Sequence, residues 1–201
     1  MNQTLKRALS GAVYVAIMWF GTSYSELSFH ILFSVILVVC LYEMVKLRKG
    51  KTKVLAFLYV LAPLLLVHLY TQKIILFIFI LTWTFDTFAY LFGVKFGKNK
   101  IMPSVSPKKS WEGFAGGFLF TIIASYLLYN YFGFISFRDP LILSLFIPFT
   151  ATIGDFIESY YKRQAGVKDS GNFIPGHGGM LDRIDAFIIT IPVIYLLTKL
   201  L

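Results

Sequence analysis

Residues 74–91 form an 18-residue run, IILFIFILTWTFDTFAYL, with one charge, Asp86, and neither glycine nor proline. Wound as a helix, a run of this length and character reaches across a hydrocarbon core. Six further runs, 8–24, 27–44, 54–70, 114–132, 141–161 and 184–201, share that character. The whole chain is 57% hydrophobic and 14% charged, with mean hydropathy +0.72. A soluble domain is nearer half apolar and a quarter charged. The expected fold is therefore an all-α integral membrane protein of about seven transmembrane helices. It reads as one polytopic domain over 1–201, with N-terminal helices in 1–73 and the chemistry-bearing half in 74–201.

Basic residues orient this bundle. With seven spans and a cytoplasmic N-terminus, every one of the 19 Lys and Arg except Lys73, Arg138 and Lys199 falls in a cytoplasmic segment. That bias follows the positive-inside rule and puts the C-terminus outside. Short basic loops beside lipid headgroups also account for the net charge of +9 without any nucleic-acid partner. Cys40 is the only cysteine, which excludes an intrachain disulfide, a cysteine-based zinc site and a paired-thiol redox motif. Lys6-Arg7 ahead of an apolar stretch has the outline of a signal peptide. No small-residue cleavage pattern follows, so 8–24 is expected to be a retained first helix.

Two long polar loops, 93–113 and 162–183, fall on the expected cytoplasmic face, each after a span with acidic residues near its end. The stretch 159–185 reads SYYKRQAGVKDSGNFIPGHGGMLDRID. Charge this dense at a membrane boundary is costly and marks a functional site by default. Asp155, Glu158, Ser159 and Lys162 fall at i, i+3, i+4 and i+7, on one helix face. Asp182 and Asp185, three apart, share a face of the last helix. Asp155, Asp182 and Asp185 can thus converge from two helices on one divalent cation, and magnesium favours such a set of carboxylates with waters and phosphate oxygens. For any single acid, pairing with Lys or Arg is the alternative. Gly176-His177-Gly178-Gly179 suits wrapping backbone N–H groups around an anion, or a tight turn into a helix. His177 is read as a phosphate or nucleotide contact rather than a proton carrier, because phosphoryl transfer rests on positioning and charge.

The other loop carries Ser106-Pro107-Lys108-Lys109-Ser110-Trp111-Glu112-Gly113. Ser106 suits an N-cap and Pro107 the first helical position, so a helix is expected to start there. Lys108 and Lys109 would then oppose the helix dipole, which makes sense if an anion binds the same end. A positive-inside stop signal is the alternative. Gly113, Gly116 and Gly117 are read as close-packing positions. Asp86, one face with Tyr90, either binds nucleotide or braces a lysine. His30 and His68 lie near the other ends of their spans and are read as structural.

These residues resemble the phosphatidate cytidylyltransferases, also called CDP-diacylglycerol synthases. The signature of that family appears as Ser159, Lys162-Arg163, Lys168-Asp169, His177-Gly178-Gly179 and Asp182-Arg183-Ile184-Asp185, with its spacing intact. The upstream DTFAY and SPKKSWEG segments look like two further landmarks. The resemblance covers roughly 81–201, and the opening KRALSGAVYVAI is similar as well. Tyr161 stands where an aliphatic residue or Phe is usual. The chain is also shorter than is usual for bacterial members, with the difference expected between Arg48 and Ile74.

The resemblance implies a magnesium-dependent reaction in which CTP and phosphatidate give CDP-diacylglycerol and pyrophosphate. It makes Asp155, Asp182 and Asp185 the metal acids, with Lys168, Asp169 and His177 in the catalytic set. Ser159, Lys162, Arg163, Gly178, Gly179 and Arg183 would hold substrate, helped by Asp86, Ser106, Lys108 and Lys109. It further implies a homodimer, a second cation such as K+, and a bacterial inner-membrane location with the site facing the cytoplasm. The rival readings are a CTP-dependent membrane lipid kinase, which would release CDP, an ion-coupled transporter, and a catalytically inactive scaffold.

Overall fold

A computed structural model describes residues 3–47, 53–133, 138–176 and 178–200. Arg48, Lys49, Lys51 and His177 lie outside the described residues, as do the side chains of Lys6, Arg7 and Lys53. Each of the seven apolar runs is a helix. In chain order these are α1 (Gln3–Ser23), α2 (Glu26–Leu47), α3 (Lys53–Leu66), α4 (Gln72–Phe96), α5 (Trp111–Leu128), α6 (Arg138–Ala165) and α7 (Leu181–Leu200). A 3-10 turn, Val67–Leu69, tightens the end of α3 just beyond Pro63.

Among the described residues, four helices are long and apolar enough to cross a membrane: α2, α4, α5 and α6. The apolar parts of α1 and α3 are shorter, and α7 opens on Asp182, Arg183 and Asp185. Large apolar side chains such as Val35 and Val38 on α2, and Leu119 and Leu127 on α5, are exposed, as a lipid-facing surface requires.

The core forms where α2, α4 and α7 meet. The rings of Phe33, Phe79 and Phe187 stack there, with Phe79 and Phe187 centroids 4.4 Å apart. The hydroxyls of Thr150 and Thr190 lie 2.8 Å apart between α6 and α7, a buried interhelical bond worth about 1 kcal/mol in a bilayer. Small residues set the closest approaches. A Cβ at Gly154 would meet the Asp185 carbonyl, drawing α6 onto α7. On α5, a Cβ at Gly113 would meet the Ala89 carbonyl, and Cβ atoms at Gly116 and Gly117 would meet Phe92 and Phe85 of α4. The close-packing role expected for these three glycines holds.

One expected element is different. Residues 106–110 do not open a helix; they form strand β2 (Ser106–Ser110), paired antiparallel with β1 (Lys100–Met102). The cap falls four residues later: Ser110 Oγ accepts from Gly113 N at 3.2 Å, and α5 starts at Trp111. Glu112 explains the shift. Its carboxylate accepts from the backbone N of Lys98 (3.2 Å) and Asn99 (3.1 Å) and from Asn99 Nδ2 (2.7 Å). Trp111 N donates to the Asn99 carbonyl at 2.9 Å. These bonds tie the end of α4 to the start of α5 and leave the intervening chain as a hairpin.

At the far end of the bundle His30 and His68 face each other, Nδ1 to Nδ1 at 2.7 Å, with stacked rings. They brace α2 against the 3-10 turn, as a structural pair should.

Candidate active site

The C-terminal ends of α2, α4 and α6 and the N-terminal ends of α5 and α7 gather at one end of the bundle, with the hairpin. Two adjoining features form there. The first is a cleft of about 570 Å³ between α4, the hairpin and α5. Asp86, Ser106, Lys108, Lys109 and Phe114 are among its lining residues. The strand geometry, rather than a helical turn, delivers both lysines to it.

The second is an acid cluster between α6 and α7. Asp155, Glu158 and Asp185 bring carboxylate oxygens within 4.8 Å of one another. Asp155 and Glu158 come from one face of α6, and the Gly154 contact brings Asp185 to it across the helix pair. Glu158 is fully buried, and neither of its oxygens accepts a hydrogen bond; the Lys162 ammonium faces it as an ion pair. Lys109 pairs with Asp155 and so joins the cleft to the cluster.

Asp182 sits beside this cluster, with both carboxylate oxygens hydrogen-bonded. Its Oδ1 accepts from Lys162 Nζ at 2.7 Å. Its Oδ2 accepts from Ser170 N and Gly179 N, each at 2.8 Å, and lies 3.0 Å from Ser170 Oγ, whose one proton it shares with Glu43. The carboxylate that sequence spacing assigned to a cation thus folds the glycine loop onto α7. Glu158, on the same helix face as Asp155 but not assigned a ligand role from sequence, lies with Asp155 and Asp185 in the trio.

Four carboxylates (Asp155, Glu158, Asp182 and Asp185) face two ammonium groups (Lys109 and Lys162) in this largely enclosed space. With all four ionised the carboxylates would outnumber these ammonium groups, an excess that a divalent cation would offset, and an all-oxygen donor set suits magnesium. Glu158, buried and ion-paired with Lys162, could offer a carboxylate oxygen to the same cation.

The remaining loop residues divide by exposure. Arg163, Lys168, Asp169 and Arg183 are exposed around the glycine loop, with Arg163 Nη1 donating to the Val167 carbonyl at 3.1 Å. Ser159 is buried on α6. Gly176 and Gly178 have φ of +79° and +84°, a conformation glycine adopts without strain. Gly178 and Ile174 form a short antiparallel bridge that closes the loop.

Two supporting residues escaped the sequence analysis. Ser170 donates to Asp182, and Glu43 of α2 is buried against the loop. A lone carboxylate inside an apolar run, the signal that singled out Asp86, marks Glu43 equally.

Fold and site together define a helical membrane protein with a lysine-lined cleft and an acid cluster at one end of its bundle. The chain belongs to the cytidylyltransferase family, whose model matches residues 68–201. The chain is 46% identical over 126 residues to a phosphatidate cytidylyltransferase of Thermotoga maritima, covering 60% of this chain and 47% of that protein. It is 42% identical over 124 residues to one from Staphylococcus saprophyticus, covering 61% of this chain and 48% of that protein. A Haemophilus influenzae protein of the same name is 42% identical over 124 residues, covering 59% of this chain and 43% of that protein. The aligned region spans about half the length of these curated relatives.

Proposed function

We propose that this protein transfers the cytidylyl group of CTP to phosphatidate, giving CDP-diacylglycerol and pyrophosphate. One observation carries the reading: Lys109 lines the cleft and pairs with Asp155, so a polyanion in the cleft lies beside the acid cluster. The names of the relatives, at 42–46% identity, supply the nucleotide and the lipid.

In the reaction, a phosphate oxygen of the lipid forms a bond to the α-phosphorus of CTP, and the bond from that phosphorus to the bridging oxygen of pyrophosphate breaks. A phosphate monoester is doubly ionised above about pH 6, so the nucleophile needs no base to remove a proton. The task of the site is to bring two polyanions together and to hold charge as it moves. Lys108 and Lys109 hold nucleotide phosphates in the cleft, with Asp86 and Ser106 at its wall. Arg163, Lys168 and Arg183, exposed near the glycine loop, meet the lipid phosphate or the leaving pyrophosphate. Asp155, Asp182 and Asp185, with Glu158 beside them, would hold magnesium, which would supply Lewis-acid stabilisation of the phosphoryl oxygens. Asp182 keeps Lys162 and the loop in place beside them.

The same reading takes the bundle as one polytopic domain of a bacterial inner membrane. Its N-terminus and active site face the cytoplasm and its C-terminus the other side, as the distribution of Lys and Arg supports. It includes a homodimer and a second cation such as K+. No observation favours the lipid-kinase or transporter alternatives.

The test uses purified protein in detergent with phosphatidate, magnesium and CTP labelled separately at the α and γ phosphates. The expected outcome is α label in the lipid and γ label in pyrophosphate. Label from the γ position in the lipid would make the protein a kinase, and no transfer by folded protein would remove the enzymatic reading.

A further inference from the structure

Glu43 lies near the end of α2, outside the family-matched residues 68–201, and is 3% exposed. Its Oε1 accepts from Met180 N at 2.9 Å. Its Oε2 accepts from Leu181 N at 2.9 Å and from Ser170 Oγ at 2.8 Å. A buried carboxylate is tolerated only when donors satisfy it, and here both oxygens are satisfied by one loop and one helix start. The first backbone N–H groups of α7 lack partners within their own helix, and the positive end of its dipole favours the charge.

The contacts continue toward the site. The Ser170 hydroxyl that reaches Glu43 also lies 3.0 Å from Asp182 Oδ2, and its backbone N donates to the same oxygen at 2.8 Å. Gly179 lies between them: a Cβ there would collide with Ser170 Oγ and with both Glu43 oxygens. A Cβ on Gly171 would also press on Glu43. The glycine loop is thus packed around this one side chain. Asp182 and Asp185 begin one and four residues after Leu181, whose N–H Glu43 holds.

We propose that Glu43 is a positioning residue of the active site. From the N-terminal half of the chain it fixes the glycine loop and the first turn of α7, and thereby the places of Asp182 and Asp185. The inference deepens the proposed cytidylyl transfer and rests on it only for its kinetic readout. Glu43→Gln is the informative substitution. It keeps the size of the side chain but turns one acceptor into an NH2 that faces a donor, so at least one of the three bonds is lost.

The experiment compares wild type, Glu43→Gln and Ser170→Ala in detergent by peptide-resolved hydrogen exchange, thermal unfolding and cytidylyl transfer across a magnesium series. For Glu43→Gln, exchange over residues 178–185 is expected to quicken about tenfold or more, while peptides of α4 and α5 keep their wild-type protection. The magnesium concentration for half-maximal transfer should rise about fivefold or more, which a mere loss of folded protein would not cause. Ser170→Ala should show the same changes in smaller measure, and it decides the matter if Glu43→Gln does not fold. Unchanged loop exchange, or exchange quickened equally throughout the chain, would overturn the inference. If wild type itself transfers nothing, the proposed reaction falls, and the exchange data still judge the role of Glu43.

Discussion

The cleft and the acid cluster adjoin at Lys109 but are built in opposite ways. The cleft is walled by a hairpin and two helix ends, and Lys108 at its edge is exposed. Its shape comes from hydrogen bonds around Glu112 and Ser110, which leave Lys108 open to a ligand while Lys109 reaches Asp155. The acid cluster is half-buried or buried, and packing between α6 and α7 sets its positions. Its carboxylates outnumber the ammonium groups paired with them. In the proposed reaction the exposed cationic surface would recruit substrate and the half-buried anionic one would serve turnover. Substitutions should therefore divide between binding and turnover according to the side they touch.

The sharpest break in that division is Asp185→Asn. It removes one of three converging carboxylates without changing size, and transfer should fall about 1000-fold with CTP binding retained. Turnover measured against CTP affinity checks this; loss of both in parallel would mean that cleft and cluster act as one unit.

Lys109 and Lys108 sharpen the comparison because they are neighbours on one strand with different surroundings. Lys109→Met strips Asp155 of its partner as well as the cleft of a cation, so kcat/KM should drop roughly 100-fold through both terms. Lys108→Ala touches only the exposed side. Its KM for CTP should rise about fivefold at low salt, and less at 0.5 M salt, with kcat unchanged. Steady-state kinetics at two salt concentrations separate the pair. Equal effects would show that the ion pair with Asp155 adds nothing.

The smallest effect is expected at the opposite end. His30→Phe replaces one ring of the pair with His68 by another aromatic of similar bulk. Transfer should stay within about twofold and unfolding should shift by no more than about 1 kcal/mol, read by kinetics and thermal melts. A large loss of transfer there would contradict the confinement of chemistry to one end.

Much of this was legible locally. The seven helices follow from runs of apolar residues long enough to be read without context, and Asp155 with Glu158 follows from helical spacing alone. The hairpin was not legible. Ser106 and Pro107 are sound helix starters by local chemistry, and a second serine, Ser110, with Glu112 outcompeted them once the end of α4 was close by. The surroundings of Asp182 were hidden for a related reason: spacing put it on the expected helix face, but the glycine loop folding back brought Ser170 and Gly179 to it, and α6 brought Lys162. Glu43 carried the same mark as Asp86, yet its partners lie more than 120 residues away.

By itself, then, the sequence determined the elements that depend on neighbours a few residues apart: helix, turn flexibility, and which charges share a face. It also grouped most of the basic residues into clusters between the apolar runs. Tertiary structure alone decided which carboxylates meet, which lysine joins cleft to cluster, and which buried acid steadies the loop. Those outcomes turn on competition among donors and acceptors brought together from distant segments. Desolvation and distance settle that competition only after the helices have packed.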